Sequence, residues 1–210
     1  MSAENILTAE NIAFERNDSL LFHPVDLALS RGEALHIEGS NGSGKTTLFR
    51  LLTGVLQPSC GSVYFRGKPI EQCRYDYLSE LLFIGHQSAV KGMLSAQENL
   101  RWMSPPATSS EEIAFALTSV GLEGYADIPC HNLSAGQHRR VALARLIISK
   151  ASLWYLDEPF AALDKQGIAF IESCMQAHIE QGGAILFSSH QDLAKTAVRK
   201  YSIVGYQEAF

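Results

Sequence analysis

Apolar and polar positions change period several times along the chain, and each change marks an element. Val25-Asp26-Leu27-Ala28-Leu29 alternates apolar with polar or small side chains, the period of a half-buried strand. Ser30-Arg31-Gly32-Glu33 reads as a turn, and Ala34 to Glu38 as a strand that runs into a glycine-rich loop. From Lys45 to Val55 the period lengthens: Leu48, Leu51, Leu52 and Val55 stand at i, i+3, i+4 and i+7, which predicts a helix. Ser62 to Phe65 and Leu81 to Ile84 read as further strands. The stretch from about 88 to 150 is mostly helical. Ser95-Ala-Gln-Glu98 and Thr108-Ser-Ser-Glu111 have the spacing of capping boxes, and Pro105-Pro106 separates two of these helices. Strands return at Ser152 to Leu156 and Ala184 to Ser188, with a helix from about Lys165 to Gln181 between them, ended by Gly182-Gly183. Strand, helix, strand with apolar strand cores is the pattern of a sheet covered on both faces. The pattern predicts one α/β domain over 1–210, with a core of 1–87 plus 151–210 and a helical lobe at 88–150.

Composition narrows the function. Lys plus Arg is 17 against 22 Asp plus Glu, a net charge of −5, which argues against a general nucleic-acid binder. The longest unbroken apolar run is five residues, Ile113 to Leu117, whereas a membrane-spanning helix needs about 20. The polar, acidic N-terminal stretch does not read as a secretory signal. The four cysteines, Cys60, Cys73, Cys130 and Cys174, form no C-x-x-C pair and read as reduced thiols. Cys130, His86 and His131 read as satisfied or surface groups.

Gly39-Ser40-Asn41-Gly42-Ser43-Gly44-Lys45-Thr46 matches G-x-x-x-x-G-K-[ST] between a predicted strand and a predicted helix. Such a loop curls its backbone N–H groups toward a polyphosphate, and the helix start adds orphan donors and positive potential. Lys45 can reach the β- and γ-phosphates, the Thr46 hydroxyl can bind Mg²⁺, and Thr47 continues the first turn. The loop by itself indicates a nucleotide phosphate and nothing narrower. The strand Ser152–Leu156 ends in Asp157-Glu158. Asp157 suits a Mg²⁺ ligand and Glu158 a base for an attacking water. Taken without the loop, the pair could equally close a solvated turn.

Leu133-Ser134-Ala135-Gly136-Gln137 opens a predicted helix that continues His138-Arg139-Arg140. Its Ser-x-x-Gln spacing is a helix-start signal in its own right. Placed between the glycine loop and the acidic strand, it resembles the LSGGQ signature of the ATP-binding cassette ATPases, with Ala135 at the third position. Gln87 resembles that family's Q-loop glutamine, Asp164 its D-loop aspartate and His190 its switch histidine, so that six elements follow the family order. The resemblance implies a P-loop NTPase core of RecA-like type, an antiparallel β subdomain and an inserted helical signature subdomain. It implies an ATP hydrolase using ATP and Mg²⁺, with Glu158, His190 and Gln87 catalytic and Thr46, Gln87 and Asp157 on the metal. It also implies a head-to-tail pair, in which Ser134, Ala135, Gly136 and Gln137 meet the nucleotide of a second copy and Asp164 lies at the same junction. Ala135 is expected in a helical conformation, not at positive φ. The family's adenine-stacking position falls on Arg16, with Phe14 two residues out of register. Arg16 is either a guanidinium plane on the base or a solvated surface charge. The basic run His138, Arg139, Arg140 and Arg145 is expected to face solvent or the second copy's phosphates.

Within the family, Ile84-Gly-His-Gln87 and the run from Leu153 to Asp164 are similar to the ATPases of the haem-handling complex of cytochrome c maturation. That resemblance implies membrane subunits CcmB, CcmC and CcmD, indirect action on the haem chaperone CcmE, and a peripheral place on the cytoplasmic face of the bacterial inner membrane. It leaves haem export and release of the loaded chaperone both open. The loop after Gln87, Ser88 to Leu94, offers Gly92, Met93 and Leu94 as small and apolar surface for a membrane subunit. A soluble cassette ATPase and a small P-loop kinase are the competing classes, and a kinase needs neither Leu133–Gln137 nor His190.

Overall fold

The computed structural model describes residues 4–191, 193 and 197–206. Among the described residues, two large sheets hold nine of the eleven strands. The first is antiparallel, with β1 (Asn5–Ala13) between β4 (Val25–Ser30) and β6 (Cys60–Phe65), and β7 (Lys68–Pro69) beyond β6. In β4 the predicted alternation is seen directly, with Val25, Leu27 and Leu29 buried. A short hairpin, β2 (Glu15–Arg16) and β3 (Ser19–Leu20), projects beside it. Its two turn residues, Asn17 and Asp18, take positive φ of 53° and 60°, the form that matches strand twist in a two-residue hairpin.

The second sheet is parallel throughout. Its order is β11 (Arg199–Ser202), β5 (Ala34–Glu38), β10 (Ala184–Ser188), β9 (Leu153–Asp157) and β8 (Leu81–Ile84). Every residue of β9 and β10 is buried, as the unbroken apolar strand cores require of a sheet covered on both faces. β11 escapes the hydrophobic pattern because it is an edge strand. Its sequence, Arg-Lys-Tyr-Ser, is exposed at three of four positions.

Among the described residues, seven α-helices fill most of the rest: α1 (Lys45–Leu52), α2 (Arg74–Ser79), α3 (Ala96–Met103), α4 (Ser110–Ser119), α5 (Ala135–Leu143), α6 (Arg145–Ile148) and α7 (Lys165–Glu180). Two expectations need correction. α1 stops at Leu52 rather than Val55. Thr53 caps it, Gly54 turns to φ 68°, and Val55 is exposed. The second capping box uses Ser109 and Glu112, one residue later than expected. The Thr108 N–H is already committed to the carbonyl of Pro105, so the helix begins after that turn. The first box forms at Ser95 and Glu98 as read.

The buried apolar side chains fall into three clusters. One lies between the antiparallel sheet, α1 and one face of the parallel sheet, around Phe22, Leu48, Phe49 and Leu186. A second lies on the opposite face of the parallel sheet, under α5 and α7, around Leu143, Trp154, Phe187 and Met175. The third belongs to α3, α4, α5 and their loops, around Leu100, Leu117 and Val141. Val90 and Phe170 pack against both the second and the third. The fold therefore sets the C-terminal ends of β5, β9 and β10 beside one another, where open α/β sheets place ligands.

Candidate functional site

The loop leaving β5 carries the glycine motif. Gly42 and Gly44 have φ of 84° and 98°, a region L side chains rarely adopt. A side chain at Gly44 would also meet the Phe22 ring, whose Cδ1 lies 2.5 Å from an ideal Cβ. The loop thus packs against the core while keeping its inner face open. Lys45 starts α1 and folds over the loop, its Nζ donating to the carbonyls of Gly39 (2.7 Å) and Ser40 (3.1 Å). Gly44, Lys45, Thr46 and Thr47 form one wall of a cavity of about 620 Å³. Asp157, Glu158, Ala161 and His190 line it as well.

The acidic wall is tied to the loop by hydrogen bonds. Asp157, the last residue of β9, is 2% exposed. Its Oδ2 accepts from the Thr46 hydroxyl (2.9 Å) and its Oδ1 from the Ser188 hydroxyl (2.7 Å). Ser188 closes β10, and its Oγ also accepts from the Glu158 N–H at 3.0 Å. Glu158 has φ 53°, an uncommon conformation outside glycine, and this turns the chain out of the sheet. One of its carboxylate oxygens, Oε1, is buried without a hydrogen bond and lies 3.6 Å from His190 Nε2. The carbonyl before His190, that of Ser189, is held by His36 Nε2 at 3.0 Å.

The signature segment stands elsewhere. Ser134 is the N-cap of α5: its Oγ accepts from the Gln137 N–H, and its own N–H donates to Gln137 Oε1. The Gln137 side chain is thus used to cap the helix. Ala135 opens the helix and is absent from the positive-φ residues, in line with the steric expectation. Gly136 is required by crowding, since a Cβ there would lie 2.9 Å from the Ala162 carbonyl. None of residues 134–137 lines the phosphate cavity of its own chain. Asp164 caps α7, accepting from the Gly167 N–H and from Arg140 Nη2, both on Oδ1. Gln87 is exposed and outside the cavity wall, while its neighbour His86 is part of it.

A family model described as ABC transporter matches residues 22–161. A Pseudomonas putida protein described as cytochrome c biogenesis ATP-binding export protein CcmA is 50% identical over 205 residues, covering 96% of this chain and 94% of its own. The chain belongs to the ABC transporter ATPases. The Escherichia coli K12 protein of the same description is 44% identical over 206 residues, covering 97% and 99%. Among solved structures, a putative ABC transporter ATP-binding protein from Pyrococcus furiosus superposes with a TM-score of 0.79 at 23% identity, covering 93% of this chain and 96% of that one. A dimeric cassette bound to ADP and Pi gives a TM-score of 0.75 at 24% identity, covering 88% of each. The parallel core, the antiparallel sheet and the helical insertion are those of an ABC ATPase. ATPases of this family pair with each other and with membrane subunits. Among the described residues, no helix of this ABC ATPase is long and apolar enough to cross a membrane.

Two features of the cassette were not anticipated. The arginines of α5 and α6 turn inward instead of outward. Arg139 is 5% exposed and bonded to the carbonyls of Gly85, Asp157 and Glu158. Burial lowers its pKa, against the opposing pull of the Asp157 and Glu158 charges. Arg145 is largely buried, its pKa lowered by the same desolvation, and it donates to the Phe83 carbonyl. Arg140 joins the Val120 carbonyl to Asp164. Arginine among apolar neighbours gives no periodic signal, so only its position beside Val141 and Leu143 could have hinted at burial. The second feature is a cavity of about 880 Å³ that shares Arg16, Asn41 and Gly42 with the phosphate cavity. Phe14 packs against the core and lines neither cavity, whereas Arg16 lines both. His23 and Tyr206, with ring centroids 5.2 Å apart, complete part of the wall.

Proposed function

We propose that this chain is the ATP-hydrolysing subunit of a membrane complex that handles haem in cytochrome c maturation, working as a head-to-tail pair. The relatives supply the biological setting: both CcmA proteins are described as cytochrome c biogenesis export proteins, and the match runs nearly end to end. One observation carries the mechanism. The phosphate cavity holds the glycine loop, Asp157, Glu158 and His190 but no part of the signature helix, so Ser134 and Gly136 are free to serve the cavity of another copy.

The residues fit a magnesium nucleotide. Thr46 Oγ1 and Asp157 Oδ2 are hard oxygen donors 2.9 Å apart at the mouth of the glycine loop, the donor set Mg²⁺ prefers. Thr46 and Asp157 would hold the ion, with Gln87 reaching it as its loop moves. Bound there, Mg²⁺ would neutralise charge on the β- and γ-phosphate oxygens. The loop from Gly39 to Gly44 presents backbone N–H groups to the phosphates, and Lys45 Nζ exchanges its loop carbonyls for phosphate oxygens. Glu158 Oε1 takes a proton from the attacking water. The water oxygen bonds to the γ-phosphorus as the bond to the β-bridging oxygen breaks, leaving ADP and phosphate. His190 lies beside that carboxylate and orients it and the γ-phosphate. Arg16 lines the phosphate cavity and would lie against adenine. Loss of the shared γ-phosphate removes the anion joining the two copies, so the pair loosens and the strain passes to the membrane subunits.

The setting implies partners resembling CcmB, CcmC and CcmD at the cytoplasmic face of the inner membrane, with the haem chaperone CcmE reached only through them. Glu158→Gln tests the mechanism. With ATP and Mg²⁺, turnover should fall at least about 100-fold while binding persists and a closed pair accumulates in sedimentation. Normal hydrolysis by that variant would remove Glu158 from the role of base. Co-expression with the membrane subunits tests the setting, since ATPase stimulation and copurification are expected.

A further inference from the structure

Arg139 stands five residues after Ser134 on the same helix, and its guanidinium joins two separate parts of the site. Nη1 donates to the Gly85 carbonyl at 2.7 Å, two residues before Gln87. Nη2 donates to the carbonyls of Asp157 at 2.9 Å and Glu158 at 2.7 Å. The side chain is buried, so water does not substitute for these bonds. Glu158 is held from both sides: its N–H by Ser188, and its carbonyl by Arg139. Its positive φ is therefore maintained by α5 as much as by β10. A flat fork with several donors can satisfy three carbonyls on two segments, and no other side chain has that geometry.

The geometry points to Arg139 as a positioning residue that couples the two ATP sites of the pair. This rests on the head-to-tail reading above. The first turn of α5 grips the nucleotide of the partner copy through Ser134. Five residues on, Arg139 fixes the carbonyls that set Gln87 and Glu158 of its own copy. A shift of α5 on capture of the partner's γ-phosphate therefore moves the base and the glutamine of the other site together. Arg139 holds Asp157 and Glu158 through their backbone carbonyls and occupies neither carboxylate.

The test uses the full complex with its membrane subunits and compares wild type with Arg139→Gln and Arg139→Lys. For Arg139→Gln, kcat should fall about 10- to 100-fold, with ATP affinity within about threefold and the melting temperature within a few degrees. The Hill coefficient for ATP should fall from near 2 toward 1. Lysine keeps the charge but cannot fork between segments. It should recover part of kcat and none of the cooperativity. Unchanged kcat and Hill coefficient in Arg139→Gln overturn the proposal. So does a parallel loss of ATP binding, or failure of both variants to fold, because either marks a purely structural role. The two readings fail differently. If Glu158→Gln never pairs and wild type shows a Hill coefficient of 1, the head-to-tail reading falls and the coupling falls with it. If Glu158→Gln pairs while Arg139→Gln behaves as wild type, only the coupling falls.

Discussion

At the scale of single residues, the acidic end of the site depends on one hydroxyl. Ser188 Oγ donates to Asp157 and accepts from the Glu158 N–H. Ser188→Ala should therefore leave a buried carboxylate oxygen without its donor and destabilise the fold by about 1–3 kcal/mol in chemical denaturation. It should also raise the Mg²⁺ concentration needed for turnover. A second residue makes stability pH-dependent. His178 is stacked on Trp154 with centroids 3.8 Å apart, and burial lowers its pKa to about 4 from 6.5. The unfolded chain binds a proton between those values that the folded chain refuses, so the stabilisation is complete above pH 6.5 and is lost as pH falls toward 4. Thermal midpoints should drop through that window, and His178→Gln should flatten the drop. The glycines, Lys45, Thr46, Asp157 and Glu158 were readable because each serves a local geometry that a spacing can encode. Ser188 and Arg139 were not. Ser188 reaches Asp157 31 residues away and Arg139 reaches carbonyls 18, 19 and 54 residues away, and only the tertiary fold brings them together.

The elements show the same division. Apolar alternation located β4, and short apolar runs located β5, β9 and β10, whose side chains are taken up by the core. It could not find β11, whose backbone completes the sheet while its side chains remain outside. Capping signals gave helix starts to within one residue, and the misplaced one has a sharp test. Ser109→Ala should cost about 1 kcal/mol, as typical for a lost N-cap, while Thr108→Ala should be nearly neutral in the same melting assay. The close approach of α5 to the Ala162 loop is equally specific. Gly136→Ala sets a methyl group 2.9 Å from a carbonyl oxygen, so α5 must shift away from that loop. Destabilisation of about 1–3 kcal/mol is expected, with ATPase activity falling further than ATP binding.

For the whole molecule, the proposed function makes each ATP site one that two copies share. A chain carrying Lys45→Ala and a chain carrying Ser134→Arg should each be inactive alone. Mixed, they form pairs in which one site loses both elements and the other keeps both. At most about one quarter of wild-type activity should return, since half of the pairs are mixed and one of their two sites keeps both elements, and coupling between the sites lowers that figure. If activity does not return, each chain hydrolyses with its own groups. The parallel core and the order of its motifs were legible from the sequence, because a P-loop between strand and helix admits few folds. The inner arginine contacts were not legible, since they depend on how the helical lobe sits on the sheet. That seating has a mechanical consequence. Among the described residues, Val90 and Phe170 are the partly buried apolar side chains packed against both the sheet cluster and the helical cluster, and α5 supplies buried residues to each. Together they would form an axle about which the lobe could rock. Trimming Phe170 to alanine should loosen the axle, so that membrane-coupled turnover changes while nucleotide affinity does not.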